Sequence, residues 1–148
     1  MIRMKQLGLI MVCLFALQTI VRADNARPIT ITQMPQKAQQ FIRLHFADSQ
    51  VALAKVETDF LEKSYEVIFT DGNKLEFDKK GEWKEVSCKS GAVPQDIVPE
   101  AIRQHVASLF PEARIVKMER EKSLYEVTLT NGQELKYNTR FQLIDIDD

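Results

Sequence analysis

The chain states one pattern twice: Tyr65 to Phe77 reads YEVIFTDGNKLEF and, sixty residues on, Tyr125 to Tyr137 reads YEVTLTNGQELKY. Tyr, Glu, Val, Thr, Gly and Leu recur at matching places. The exchanges Phe69 to Leu129, Asp71 to Asn131 and Phe77 to Tyr137 keep size or turn chemistry. A duplicated structural unit is the simplest cause, so the fold must be one that a unit can build together with its own copy. What recurs is hydrophobic pattern and turn residues rather than nucleophiles or metal ligands, which points to an architecture with a binding role.

The first residues stand apart from this pattern. Arg3 and Lys5 precede the apolar run Leu7 to Leu17, and Val21-Arg22-Ala23 offers small residues for cleavage, the arrangement of a secretory signal peptide over residues 1–23. The run is shorter than the roughly 20 apolar residues needed to span a bilayer. The expected mature start is Asp24, with no membrane association after processing. Loss of Arg3, Lys5 and Arg22 deepens the acidity of a chain whose net charge is already −1. A nucleic-acid partner is not expected, because the basic footprint it requires is missing. Of the cysteines only Cys88 remains after cleavage, free either to cross-link two chains or to stay a thiol, the second being the expected state.

Each repeated block is preceded by a helix signal, Met34-Pro35 for the first and Val98-Pro99 for the second, with proline where a missing N–H costs nothing. Both helices are expected to end near Phe46 and Phe110. An offset of 64 superposes Met34 on Val98, Ala38 on Ile102, Ile42 on Val106 and Phe46 on Phe110, a stripe of 3.6-residue period in both copies. Pro94 and Gln95 to Val98 form a short turn leading into the second helix. Val51 to Glu57 and Ile115 to Glu119 alternate as strands, and the four extra residues of the first copy lengthen its hairpin near Asp59 to Lys63.

Strand register follows from hydrophobic matching. A two-residue Asp-Gly loop would pair Ile68 with Leu75 and Glu66 with Phe77, mixing polar and apolar sides. The three-residue loop Thr70-Asp71-Gly72 instead pairs Val67 with Leu75 and Tyr65 with Phe77, with glycine in the left-handed bulge position. The same reasoning at Lys79-Lys80-Gly81 pairs Phe77 with Trp83 and sets Glu76 opposite Lys84. Phe141 stands where the second copy needs that glycine, so a different turn is expected there. Each unit therefore reads as a helix followed by four antiparallel strands, residues 24–91 and 92–148. Together they form an α+β protein with one continuous sheet of about eight strands if the units join edge to edge.

The alternation that turns Tyr65, Val67, Phe69, Leu75, Phe77 and Trp83 inward sends Glu66, Ile68, Lys74, Glu76, Lys84 and Val86 outward. In the second unit the outward set is Glu126, Thr128, Glu134, Lys136, Ile144 and Ile146. Mixed charge with interspersed Ile and Val suits protein recognition and equally suits an ordinary solvated sheet. His45 and His105 fall on the apolar helix stripes, at the places of Leu109 and Phe41, as partly buried, hydrogen-bonded structural histidines. Neither has a second ligand at metal spacing, and no local signature joins Cys88 to a histidine as a nucleophilic dyad. The acidic tail Asp145-Ile146-Asp147-Asp148, with Asp71 and Asp78 at strand ends, offers oxygen ligands to calcium, but no twelve-residue calcium loop is present and a solvated terminus is the simpler account.

These residues also carry a resemblance. A signal peptide, a proline-started helix ending in His-Phe or Phe-Pro, the repeated Y-E-V-x3-[DN]-G-x-x-L-x-[FY], the D-x-x-G-E-W of Asp78 to Trp83 and Ala92-Val93-Pro94 between the copies are similar to the PepSY-like, β-lactamase-inhibitor-like family of secreted bacterial proteins. The resemblance implies tandem helix-plus-sheet units like those of β-lactamase inhibitor proteins, a periplasmic or secreted location and no catalytic centre. It does not carry a target with it. Ala47 replaces the proline after His45-Phe46, and Phe141-Gln142-Leu143 lacks the Gly-Glu-Trp pattern, which implies that the two units are not equivalent in function. The expected function is that of an exported, non-catalytic binding protein acting on a protein partner through the open sheet face, inhibition of an enzyme being one outcome. The alternative is a calcium-responsive periplasmic protein. No cofactor and no catalytic or metal-ligating residue is assigned.

Overall fold

The computed structural model describes residues 25–148, so the signal segment 1–23 lies outside the described residues. The strands are β1 (Ala26–Ile29), β2 (Val51–Asp59), β3 (Glu62–Phe69), β4 (Lys74–Phe77), β5 (Trp83–Ser87), β6 (Ile115–Glu121), β7 (Leu124–Leu129), β8 (Glu134–Asn138) and β9 (Leu143–Asp147). Helix α1 (Gln36–His45) precedes β2, and α2 (Glu100–Leu109) precedes β6. The nine strands form one antiparallel sheet in chain order. That is one strand more than the sequence reading: β1 pairs with β2 through Ala26 to Ile29. Its four residues include Pro28 and show no alternation, so nothing in their pattern announces a strand.

Pro35 and Pro99 sit at the N-caps, one position earlier than the first helical turn, and their carbonyls accept from Gln39 and Arg103. The helices end where the stripe does, before Phe46 and Phe110. Ala38 and Ile42 on α1, and Ile102 and Val106 on α2, are buried against the sheet. One inner row runs across the strands from Ala54 through Val67, Leu75, Val86, Met118, Val127 and Leu135 to Ile146. All but its last member are buried.

The hairpin β3–β4 has the register that hydrophobic matching requires, Val67 opposite Leu75 and Tyr65 opposite Phe77, with Gly72 at φ 89°. The next hairpin pairs Phe77 with Trp83 as expected, but a bulge then sets Glu76 opposite Glu85 rather than Lys84. Val86 is thereby turned inward, fully buried opposite Leu75, instead of outward. The same bulge in β8–β9 sets Ile146 opposite Leu135 and turns it to the helix side. The physical cause is legible in spacing: Trp83 and Val86, like Leu143 and Ile146, lie three apart and can share one face only if an extra residue is inserted. Trp83 itself is half-buried, its ring covered by the Arg120 guanidinium at 4.3 Å.

The turn at Phe141 does not differ from its counterpart. Phe141 donates to the Asn138 carbonyl and Asn138 to that of Gln142, the pattern of Gly81 with Asp78 and of Asp78 with Glu82. Phe141 accepts a left-handed φ of 64°, and its ring packs 5.5 Å from that of Tyr125. Contact in the fold thus holds a side chain where local preference asks for glycine. A second exchange is compensated in space. Phe41 meets Phe77 edge-on at 5.5 Å in the first half, and His105 meets Tyr137 edge-on at 5.6 Å in the second. The buried Tyr137 hydroxyl needs a partner, and His105 Nδ1 is hydrogen-bonded to it at 2.8 Å.

Gly81 is required for two reasons, whereas Gly72 is required for one. Both have positive φ, but a Cβ on Gly81 would stand 2.9 Å from Pro35 Cβ and 3.0 Å from the Ala38 nitrogen, while nothing lies within 4 Å of one on Gly72. Gly72→Ala is expected to cost about 1 kcal/mol from backbone strain alone, and Gly81→Ala about 2–4 kcal/mol because the β4–β5 turn must also lift off α1. Urea midpoints of the two variants check the order, and equal losses would contradict it.

Candidate functional site

With both helices on one face, the other face of the sheet is open. Its central row runs Lys55, Glu66, Glu76, Glu85, Glu119, Glu126, Lys136, Asp145, each residue directly opposite the next. Five glutamates therefore stand side by side across β3 to β7. Like charges placed opposite one another are destabilising, so neighbouring cations are drawn in. Lys55 reaches Glu66 at 3.7 Å, Lys84 reaches Glu76 at 3.9 Å, and Lys74 and Lys117 both approach Glu85, at 3.4 and 3.8 Å. Lys117 also bonds Glu119 at 2.8 Å, which raises its pKa. Glu126, Glu134, Asp145 and Asp147 enter no ion pair among the described residues.

The electrostatic consequence appears on two members of the row. Partial burial first, then Glu85 and Glu66, push the Glu76 carboxyl above its ordinary range against the pull of Lys84 and Lys74. Burial and then Glu119 and Glu134 do the same to Glu126. Glu82 goes the other way: its hydrogen bond with Lys37, and then Arg120, hold it below the ordinary range.

Of the outward residues named from sequence, Glu66, Ile68, Lys74, Glu76, Glu126, Thr128, Glu134 and Lys136 fall together in two adjacent rows of this face. Lys84 and Ile144 are the extra residues of the two bulges. Glu85, Lys117 and Glu119, missed by alternation, complete the face; the bulges and the β5–β6 junction put them there. The sequence also gave no weight to Phe60 and Leu61, 95% and 85% exposed at the tip of the lengthened β2–β3 hairpin, with Phe60 at φ 57°.

The acidic groups considered for calcium are not brought together. Asp71 and Asp78 lie at opposite ends of β4, each accepting backbone amides of its own turn, while the acidic tail lies five strands away along β9. Among the described residues no three His, Cys, Asp or Glu are grouped to hold a metal ion. Cys88 is a buried free thiol whose pKa is pushed up to about 11 by burial and Asp71, so its thiolate is scarce at neutral pH. His45 packs its ring 4.7 Å from that of Phe41.

A family profile described as "Putative beta-lactamase-inhibitor-like, PepSY-like" matches residues 63–145. The chain belongs to this PepSY-like family. The PepSY-like fold recurs in the crystal structure of a "putative calcium-regulated periplasmic protein" from Bacteroides thetaiotaomicron, 60% identical with a TM-score of 0.84 over 85% of this chain and 99% of that one. Two proteins of Bacteroides vulgatus, each described as a "putative periplasmic protein", are also similar. One is 56% identical with a TM-score of 0.82 over 85% of this chain, the other 34% identical with 0.79 over 83%, and each is covered over 99% of its own length. No curated protein matches the chain. The location read from the first residues, periplasm or exterior, agrees with that of these relatives, and no helix of the described residues is long and apolar enough to cross a membrane.

The raised carboxyls set a pH dependence. In the folded state Glu76 and Glu126 hold their protons more tightly than in the unfolded chain. Their contribution to stability is full below the ordinary Glu range and is lost as pH rises through their raised values. Glu82, held low, contributes above that range and loses its part on acidification. Glu76→Gln and Glu126→Gln are each expected to raise stability by about 0.5 kcal/mol near neutral pH and by nearly nothing near pH 3. Denaturant titrations at both pH values check this, and destabilisation at neutral pH by both variants would contradict it.

Proposed function

We propose that this PepSY-like protein is a non-catalytic binding protein that presents the open face of its sheet to a partner protein, with inhibition of an enzyme as one outcome. The observation that carries the proposal is the row of five opposed glutamates. A purely structural face gains nothing from setting like charges side by side, whereas a partner bearing Lys or Arg along a ridge would be attracted to them and would relieve their repulsion. The reading takes the chain as two like units, residues 24–91 and 92–148. Its support is the repeated order of one helix and four strands with matching bulges.

The test is capture from a periplasmic extract of the native host by the immobilised mature chain, with identification by mass spectrometry. Glu76→Lys and Glu126→Lys are expected to weaken capture of the identified protein by at least about tenfold while the fold is retained. Arg103→Glu, on the helix side, should leave it unchanged. Capture indifferent to the glutamates would overturn the reading.

The 60%-identical relative described as calcium-regulated supports a second reading, a response to calcium bound by acidic loops that the metal itself would have to draw together, since no ligand group is assembled among the described residues. On this reading millimolar calcium raises the melting temperature by several degrees and a chelator reverses the rise. Identical melting curves with calcium and with chelator would exclude it.

A further inference from the structure

The two edges of the sheet are unlike. β1 is short, carries Arg27 and loses a backbone donor at Pro28, features that blunt an edge against further pairing. β9 has neither proline nor cation: Leu143-Ile144-Asp145-Ile146-Asp147 is exposed throughout, and among the described residues no strand pairs with its outer side. Both rows of the sheet stop there unfinished. On the helix side, Leu135 is fully buried but its neighbour Ile146 stays 43% exposed, and Leu143, opposite the buried Tyr137, stays 37% exposed. On the open side, Asp145 and Asp147 enter no ion pair, and Asp147 stands opposite another carboxylate, Glu134.

We infer that β9 is a strand-addition site for an extended segment of a partner protein in which Lys or Arg alternates with β-branched apolar residues. A tenth strand would satisfy the free backbone groups of β9. Because opposed residues share a face, the residue facing Ile146 must be apolar and those facing Asp145 and Asp147 cationic. A second copy is the wrong occupant. Antiparallel pairing of β9 with its own twin sets Asp145 against Asp145 or against Asp147 in the registers that use the whole strand, opposing carboxylate to carboxylate. The site is the backbone edge of β9; it borrows Asp145 and Asp147 from the open side but not the opposed glutamates, so Glu76→Lys separates it from the function proposed above.

The probe is a fluorescein-labelled, end-blocked octapeptide alternating Val and Lys, titrated into the mature chain and followed by anisotropy. Amide hydrogen exchange is measured on the same samples. The alternating peptide is expected to bind about tenfold more tightly than the same peptide with a central Val replaced by Pro, which keeps the charge and breaks the ladder. It should also slow exchange within residues 143–147. The double variant Asp145→Lys, Asp147→Lys should reverse the preference toward a Val–Glu peptide, while Glu76→Lys should leave it in place. Equal binding of the proline-interrupted peptide would reduce the effect to charge attraction and overturn the inference. Slowed exchange confined to other strands would also overturn it, as would a peptide-free dimer in sedimentation whose β9 amides are already protected.

Discussion

The pairing of β5 with β6 is the interaction on which the molecule depends. Val86 opposite Met118, flanked by Glu85 opposite Glu119 and Ser87 opposite Lys117, joins everything before residue 88 to everything after it in one sheet. The chain then crosses back: Cys88 donates to the Val116 carbonyl at 2.7 Å and Val93 to that of Ile115 at 2.8 Å, so the connection to α2 is stitched to the strand it precedes. Val86 and Met118 are fully buried, so the junction is held by the same apolar row that holds each half. Without it each half would expose an edge and a side of its core.

That junction also extends the electrostatic problem of the open face. Glu66, Glu76 and Glu85 are already opposed within the first half, with Lys55, Lys74 and Lys84 nearby. Joined, the halves form an unbroken row of five, with Glu85 and Glu119 facing each other where the halves meet. Lys117 answers by contacting both, and Lys74 approaches Glu85 from the other side. Toward β9 Lys136 stands opposite Glu126 and Asp145 without closing an ion pair, and the face ends on Asp145 and Asp147 where the apolar row also runs out. A second link across the halves is polar: Arg120 of β6 lies over the Trp83 ring, donates to the Trp83 carbonyl at 3.2 Å and pairs with Glu82, which in turn bonds Lys37 on α1. The half-exposed members of that chain contribute little individually; its effect is to fix how the β4–β5 turn sits against α1.

Membership of the PepSY-like family fixes the fold and leaves the target open. What distinguishes this chain is how its side chains use that fold: a charged face, an exposed Phe60-Leu61 tip and an unblunted last strand. The tip stands apart at the end of the β2–β3 hairpin, while the charged face and the last strand share Asp145 and Asp147.

The sequence by itself determined what depends on neighbours along the chain. The stripes Met34 to Phe46 and Val98 to Phe110 fixed the helices, and matching Val67 with Leu75 and Tyr65 with Phe77 fixed a hairpin and its glycine turn. Alternation assigned most of the outward residues. Tertiary structure alone decided what depends on long-range pairing. The bulges that bury Val86 and turn Ile146 to the helix side arise because the inner row must stay apolar across strands. Phe141 holds a glycine conformation because Tyr125 packs against it, and β1 exists because β2 offers it an edge. The row of five glutamates and the open last strand are properties of the joined sheet. No local segment contains them, which is why they become visible only when β5 meets β6.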